Sequence, residues 1–216
     1  MERSKVVLIA GAMGIVIVII AIFATGAGNP IHDNRPGYGA GGQQTGAGLG
    51  QGHSTGPGGT APHLLPITDT TPLAATEAAD ILYMREEEQM AHDLYTRWAG
   101  MYEVPVFSNI AASETQHISE VGLLMDRYGL PGDRAGNASA GYRNTTIQSL
   151  YTALAKKGDA SQIGAFEAGL AIEEQDIADL DHTLAGTTRA DVIQVWTNLR
   201  LGSENHRNAF LRQLDR

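Results

Sequence analysis

Glu114 and His117 stand three residues apart in Ile110–Met125, IAASETQHISEVGLLM, a stretch whose apolar residues recur at helical spacing. Ile110, Val121, Leu124 and Tyr128 define the face turned toward a core, and the carboxylate and imidazole fall on that same face, one turn apart. Burying both costs several kcal/mol unless something compensates them. Either they pair with each other and with further polar groups, or they hold a cation.

The other long periodic segments carry matching interruptions. Glu88 breaks the stripe Ile81, Met84, Ala91, Tyr95; Glu173 breaks Leu170, Ile177, Leu180, Leu184. His206 sits among Val192, Trp196, Leu199, Ser203 and Phe210. A di-iron or di-manganese carboxylate bundle takes an inward Glu from each of two helices and Glu-x-x-His from each of the other two. Carboxylates suit and bridge such hard ions, and neutral imidazole completes each one. The expected ligands are therefore Glu88, Glu114, His117, Glu173 and His206, around two Fe or Mn ions. The fourth helix departs from the pattern: it reads Ser203-Glu204-Asn205-His206, so a hydroxyl occupies the place of a carboxylate. Asp176, one turn after Glu173, could substitute; Glu204 is rotated from Ser203 by about 100° and fits less well. The second metal position is in doubt on this account.

Other polar residues have plainer readings. Glu86 and Glu87 read as a solvated helix face, although a shift of one residue would exchange Glu87 for Glu88, and Glu174 stands in the same relation to Glu173. His92 and His182 read as exposed and without a role. Tyr95 reads as packing, one heptad beyond Glu88 and so near the expected site, with a redox role as the alternative. Trp98 and Trp196 read as core.

These residues need four long helices to position them. The spacing predicts helix from Thr76, as N-cap, to Gly100; from Ser108, as cap, to Tyr128, with Gly129 and Pro131 ending it; from Gln162 to Ala185; and from Ala190 to Leu214. A short link joins the first two and another the last two, so each pair is an antiparallel hairpin. The long connection between the hairpins carries a brief helix, Ile147–Lys157, with Thr145 and Gln148 as a capping box. Asn137-Ala-Ser139 and Asn144-Thr-Thr146 on this connection match glycosylation sequons. The fold class expected is an all-α four-helix bundle with a long crossover, spanning residues 76–216.

Two segments precede it. Arg3 and Lys5 flank Val6–Ala24, VVLIAGAMGIVIVIIAIFA, an uncharged run just long enough to span a bilayer as a helix. Residues 1–25 are expected to be a membrane anchor, with the rest outside the cytoplasm. A signal peptide cleaved near Thr25-Gly26-Ala27 would instead release the protein. Residues 26–75 are Gly-rich and lack an apolar period, so they read as a flexible tether. His32, His53 and His63 on it read as incidental.

The formal net charge of -9 leaves no basic surface for nucleic acid. With no cysteine, disulfides, iron–sulfur clusters and thiol nucleophiles are excluded, and any metal must take oxygen and nitrogen ligands.

The strings ILYMREEEQMAHDLY, PVFSNIAASETQHI, DRYGLPG, IEEQDIADLDHTL and NLRLGSENHRNAF together resemble an uncharacterised prokaryotic domain family in the ferritin-like superfamily. The resemblance covers Thr76–Arg216 and implies a ferritin-like bundle with a metal site, without implying a reaction. More distant relatives are rubrerythrins, ferritins and di-iron oxidases, whose first-helix Glu is followed by Ala and Tyr at the spacing of Glu88, Ala91 and Tyr95. Asp176 resembles the second acid on the third helix of rubrerythrin-like sites. Three functions stay open: oxygen or peroxide redox chemistry, metal binding without turnover, and a non-catalytic interaction domain with a degenerate site. The first needs an external electron donor, since the rubrerythrin-type cysteine centre is missing. A homodimer is left open.

Overall fold

The computed structural model describes residues 7–11, 14–18, 64–66, 71–131 and 137–216. Its folded part is helical: α1 (Ala75–Tyr102), α2 (Pro105–Arg127), α3 (Thr145–Gly158), α4 (Gln162–Gly186) and α5 (Ala190–Leu214). α1 packs most extensively on α2 and α4 on α5, while α1 also meets α4 and α2 meets α5. The four long helices thus form a ring of neighbours, and α3 lies against α1 and α4.

Three layers of side chains cross this ring. One end is aliphatic, built from Ile81, Met84, Val121, Leu124, Leu180, Val192 and Leu199, with Trp196 among them. The other is aromatic: Phe107 stacks on Phe166 with centroids 5.3 Å apart and meets Trp98 and Phe210, and Tyr95 meets Trp98 and Phe210. Between them lie the buried polar residues Glu88, Glu114, His117, Glu173, Asp176, Ser203 and His206. α1 and α5 run from the aliphatic end to the aromatic end, and α2 and α4 run back. The chain leaving α2 at the aliphatic end must therefore return the length of the bundle to begin α4, which is why the crossover is long.

Local chemistry moves several expected boundaries. α1 begins at Ala75 with Ala74 as its cap, because the Glu77 carboxylate accepts the Ala74 amide at 3.1 Å; Thr76 lies inside the helix. It runs past Gly100 and ends where Glu103 turns left-handed, its amide reaching the Ala99 carbonyl at 3.1 Å. α2 starts at Pro105, whose fixed φ suits the first helical position, and Ser108 donates back to the Pro105 carbonyl instead of capping. Its end does conform: Gly129 sits at φ 63, and Leu130 N–H reaches the Met125 carbonyl at 2.8 Å. α3 is capped by Asn144, whose Oδ1 accepts the amides of Thr146 and Ile147, while Gln148 accepts the Tyr142 amide. Asn137 similarly accepts the amides of Ser139 and Ala140, so both sequon asparagines brace the crossover backbone.

Part of the segment expected to be tether is docked on the bundle. Leu64 is buried in the aliphatic layer, Leu65 N–H donates to Gln194, and Arg127 donates to the Leu65 carbonyl at 2.6 Å. Arg189 donates to the carbonyls of Thr71 and Pro72, at 2.9 Å each. Leu64, Leu65 and Leu73 give this end of the segment apolar surface that the Gly-rich stretch lacks.

Within Val6–Ala24, the described residues are two short paired strands, β1 (Val7–Gly11) and β2 (Gly14–Val18), where a single transmembrane helix was expected. Both are rich in β-branched residues, which favour extended backbone. Among the described residues no helix is long and apolar enough to cross a membrane. The rest of that run, and the tether with His32, His53 and His63, lie outside the described residues.

Candidate metal centre

The polar layer brings the expected residues together. Glu114 on α2 is its pivot: one carboxylate oxygen is 2.7 Å from His117 Nδ1 and the other 3.0 Å from His206 Nδ1. Glu88 on α1 reaches His117 Nδ1 at 3.2 Å, and Glu173 on α4 reaches His206 Nδ1 at 3.4 Å. Two buried triads result, Glu88/Glu114/His117 and Glu114/Glu173/His206, each with its ligand atoms within 4.8 Å of one another. The two imidazoles face each other with centroids 5.5 Å apart.

Helical geometry explains the convergence. Glu114 and His117 are one turn apart on α2, and α1 and α5 flank that helix on either side. Gly202 on α5 gives His117 its room, because a Cβ there would lie 2.4 Å from the ring Nε2. Tyr95 donates to Glu173 Oε1 at 2.5 Å, so the phenol orients the carboxylate of the second triad. The Ser203 hydroxyl donates to Asp176 Oδ2, with the Leu199 carbonyl, 2.9 Å away, as the other acceptor within reach of its single proton.

With all four carboxylates ionised the layer would be too acidic for its two imidazoles to balance, so the metal-free layer must hold extra protons. Glu88, Glu114, Glu173 and Asp176 are all at most 5% exposed, with only two imidazoles to oppose them. Burial pushes the Glu88 carboxyl up to about 7, against the opposing pull of His117. Burial also raises Asp176 well above the ordinary carboxylate range, helped by the Glu88 charge. For Glu114 the same burial is outweighed by His117 and His206, which hold it below its usual value. Burial disfavours charge on His117 too, yet Glu88 and Glu114 raise its imidazole well above normal. His206 rises to about 10 because hydrogen bonds to Glu114 and Glu173 overcome burial.

The donor set fits divalent cations. Glu88 Oε1 and Asp176 Oδ1 are buried without a hydrogen-bond partner, so each retains a lone pair for another ligand. Oxygen and imidazole donors suit Fe and Mn, and a carboxylate with an oxygen in each triad suits a bridge. Two divalent cations would balance the four carboxylates when both imidazoles are neutral.

A sequence profile described as an uncharacterized protein domain, DUF2202, matches residues 77–216. The chain belongs to the DUF2202 family. An uncharacterised protein of Methanocaldococcus jannaschii, MJ0754, is 38% identical over 145 residues, covering 67% of this chain and 78% of its own. A crystal structure of hypothetical protein MJ0754 from Methanococcus jannaschii DSM 2661 superposes with a TM-score of 0.64 at 37% identity. The match covers 68% of this chain and 84% of that one.

Not every polar residue of the DUF2202 domain falls where its sequence suggests. Glu86 and Glu87, which read as solvated, are both buried. Glu86 accepts the backbone amides of Arg143 and Asn144 at 2.8 and 2.7 Å, fastening the crossover to α1. Helical period marks one face of a helix as inward, but α1 is covered by α2, α3 and α4 at once. Glu204 pairs with Arg200 at 3.1 Å, Glu174 and His182 are exposed, and His92 is partly exposed beside Asp93. Gly202 was not foreseen; a glycine beside Ser203 in an otherwise strong helix was its only signal.

Proposed function

We propose that this domain is a ferritin-like di-metal protein, binding two Fe or Mn ions through Glu88, Glu114, His117, Glu173 and His206, with Asp176 completing the set. The observation that carries the reading is the position of Glu114, a member of both triads, with one oxygen on His117 and the other on His206. Such a pair of ions, when bound, would give electrons to oxygen or peroxide and be re-reduced by a donor. The protein's own part is to hold the ligands, to exclude water with the aliphatic and aromatic layers, and to fix Glu173 through the Tyr95 hydroxyl. Reductant would come from a separate donor, since the chain has no cysteine for a relay of its own. Arg3 and Lys5 before Val6–Ala24 support an anchored protein with its bundle outside the cytoplasm.

A second reading, metal binding without turnover or a polar core that no longer binds, is favoured by one contact. Ser203 stands where a carboxylate would complete the site and donates to Asp176. Purifying the full chain without chelator, measuring Fe and Mn by elemental analysis and then assaying peroxide consumption separates the readings. The redox reading expects bound metal and turnover that stops when added reductant is withheld. Steady turnover without reductant, beyond dismutation, contradicts the need for a donor; metal without turnover leaves the binding module.

A further inference from the structure

α1 shares a cavity of about 350 Å³ with the last turn of α2 and the crossover just ahead of α3. Among the described residues that line it, none is a ligand of the dinuclear centre. Leu82, Met125 and Tyr83 give it an apolar wall, the Tyr83 hydroxyl being already committed to Asp179 at 3.2 Å. Arg85, Arg143 and Asn144 give it donors. Arg85 is partly buried, and its one side-chain hydrogen bond among the described residues runs from Nη1 to Gln89 Oε1 at 3.2 Å. Arg143 spends its backbone amide on Glu86, and among the described residues neither guanidinium has a salt bridge. Asn144 has its Oδ1 on the amides of Thr146 and Ile147, which leaves its amino group to donate. Glu86 also lines the cavity, with its oxygens on the Arg143 and Asn144 amides, and sets one negative charge against the two positive ones.

A mostly apolar wall with a few placed polar groups is the usual make-up of a small-molecule site of this size. Burial disfavours the Arg85 charge, against the pull of Glu88, Asp93 and Glu86, so an anion in direct contact would relieve a cost the fold otherwise carries. Guanidinium presents paired N–H donors that match the planar fork of a carboxylate. The charge balance of the lining suits one negative charge, and Leu82, Tyr83 and Met125 reward a body that leaves water. We propose that this cavity binds a small monocarboxylate with an apolar body, its carboxylate held by Arg85 and Arg143 and its body against Leu82, Tyr83 and Met125. The site is separate from the dinuclear centre and does not depend on it.

The test titrates benzoate against the metal-free full chain by ligand-detected NMR, so that no bound ion can take the carboxylate. Benzoate is expected to bind with a Kd of about 1 mM or below. Benzyl alcohol, which keeps the ring and loses the charge, should bind about tenfold or more weakly. Arg85→Gln and Arg143→Gln should each weaken benzoate by about tenfold or more. Arg200→Gln, on a guanidinium already paired with Asp181 and Glu204, should leave it unchanged. Arg143 is exposed, so its substitution carries the test should the Arg85 variant misfold. No binding of benzoate, or binding that neither arginine substitution weakens, overturns the proposal. Benzyl alcohol binding as tightly as benzoate overturns it too, because the arginines would then recognise nothing. So does inorganic phosphate matching benzoate, since the apolar wall would then contribute nothing. Metal content enters none of these readouts, so their failure leaves the dinuclear reading standing.

Discussion

Gly202 backs directly onto the imidazole of His117: a methyl group on its α-carbon would lie 2.4 Å from Nε2 and 2.7 Å from Cε1. No rigid ring accommodates that overlap in place, so Gly202→Ala must displace His117 or part α5 from α2. Alanine gains about 1 kcal/mol of helix propensity, which offsets part of the strain. Metal affinity is expected to fall by about 10- to 100-fold, the range seen when a ligand loses its positioning. Mn²⁺ titration of the full chain measures it, and near-native affinity would mean His117 need not stay where it is.

Glu114 belongs to both triads, so its loss is not a half-effect. Glu114→Ala should abolish Fe and Mn binding by the full chain, whereas Glu204→Ala, on a residue paired with Arg200 outside the triads, should leave the metal content unchanged. Elemental analysis of the two variants side by side decides this. Unchanged stoichiometry in Glu114→Ala refutes the assignment.

Metal binding should release protons. His206, raised to about 10, and His117, raised well above its ordinary value, both carry protons at neutral pH in the metal-free protein. A cation accepts only neutral imidazole, so loading must expel both protons. Adding Mn²⁺ to weakly buffered protein should acidify it, and affinity should increase with pH.

The same groups set the metal-free stability. The raised His206 contributes stability that is complete below its unfolded value of 6.5 and lost as pH climbs toward 10. Glu88, raised from 4.5 to about 7, withdraws stability across that interval. In both cases the folded chain holds a proton that the unfolded chain gives up, so stability falls as pH rises. Urea midpoints of the metal-free chain should therefore be lower at about pH 9 than at about pH 5; the opposite order would show that other groups dominate.

Asp191, in the first turn of α5, is buried and accepts from Arg127 at 2.9 Å and from Tyr128 at 2.8 and 3.0 Å. It joins the start of α5 to the end of α2 on the aliphatic side of the polar layer. Asp191→Ala should cost about 3 kcal/mol, as expected when one partner of a buried charge pair is removed, and leave metal stoichiometry unchanged. Denaturant unfolding and elemental analysis test the two halves. A variant that unfolds normally but loses metal would place Asp191 in the wrong role.

The centre of the bundle was legible because burial follows helical period. Every residue assigned to the inward stripe of α5, from Val192 through Ser203 and His206 to Phe210, is buried. Ends were less legible, since a cap depends on which nearby side chain reaches an amide. Asn144 took the place of the Thr145 box, and Pro105 started α2 one turn before Ser108. Glu87 was misread for a different reason: periodicity finds one buried face, while three elements surround α1. Gly202 escaped because its role depends on an imidazole from another helix.

Glu86, Glu87 and Glu88 point three ways from consecutive positions: toward the crossover amides, toward the acids of α4, and toward His117. Inserting or deleting one residue in the preceding part of α1 would turn the helix by about 100° and hand each of these surroundings to the wrong carboxylate. No compensating change at a single neighbour could restore all three. Natural length variation should accordingly collect in the loops, while the first half of α1 keeps an unbroken count from Glu77 to Glu88.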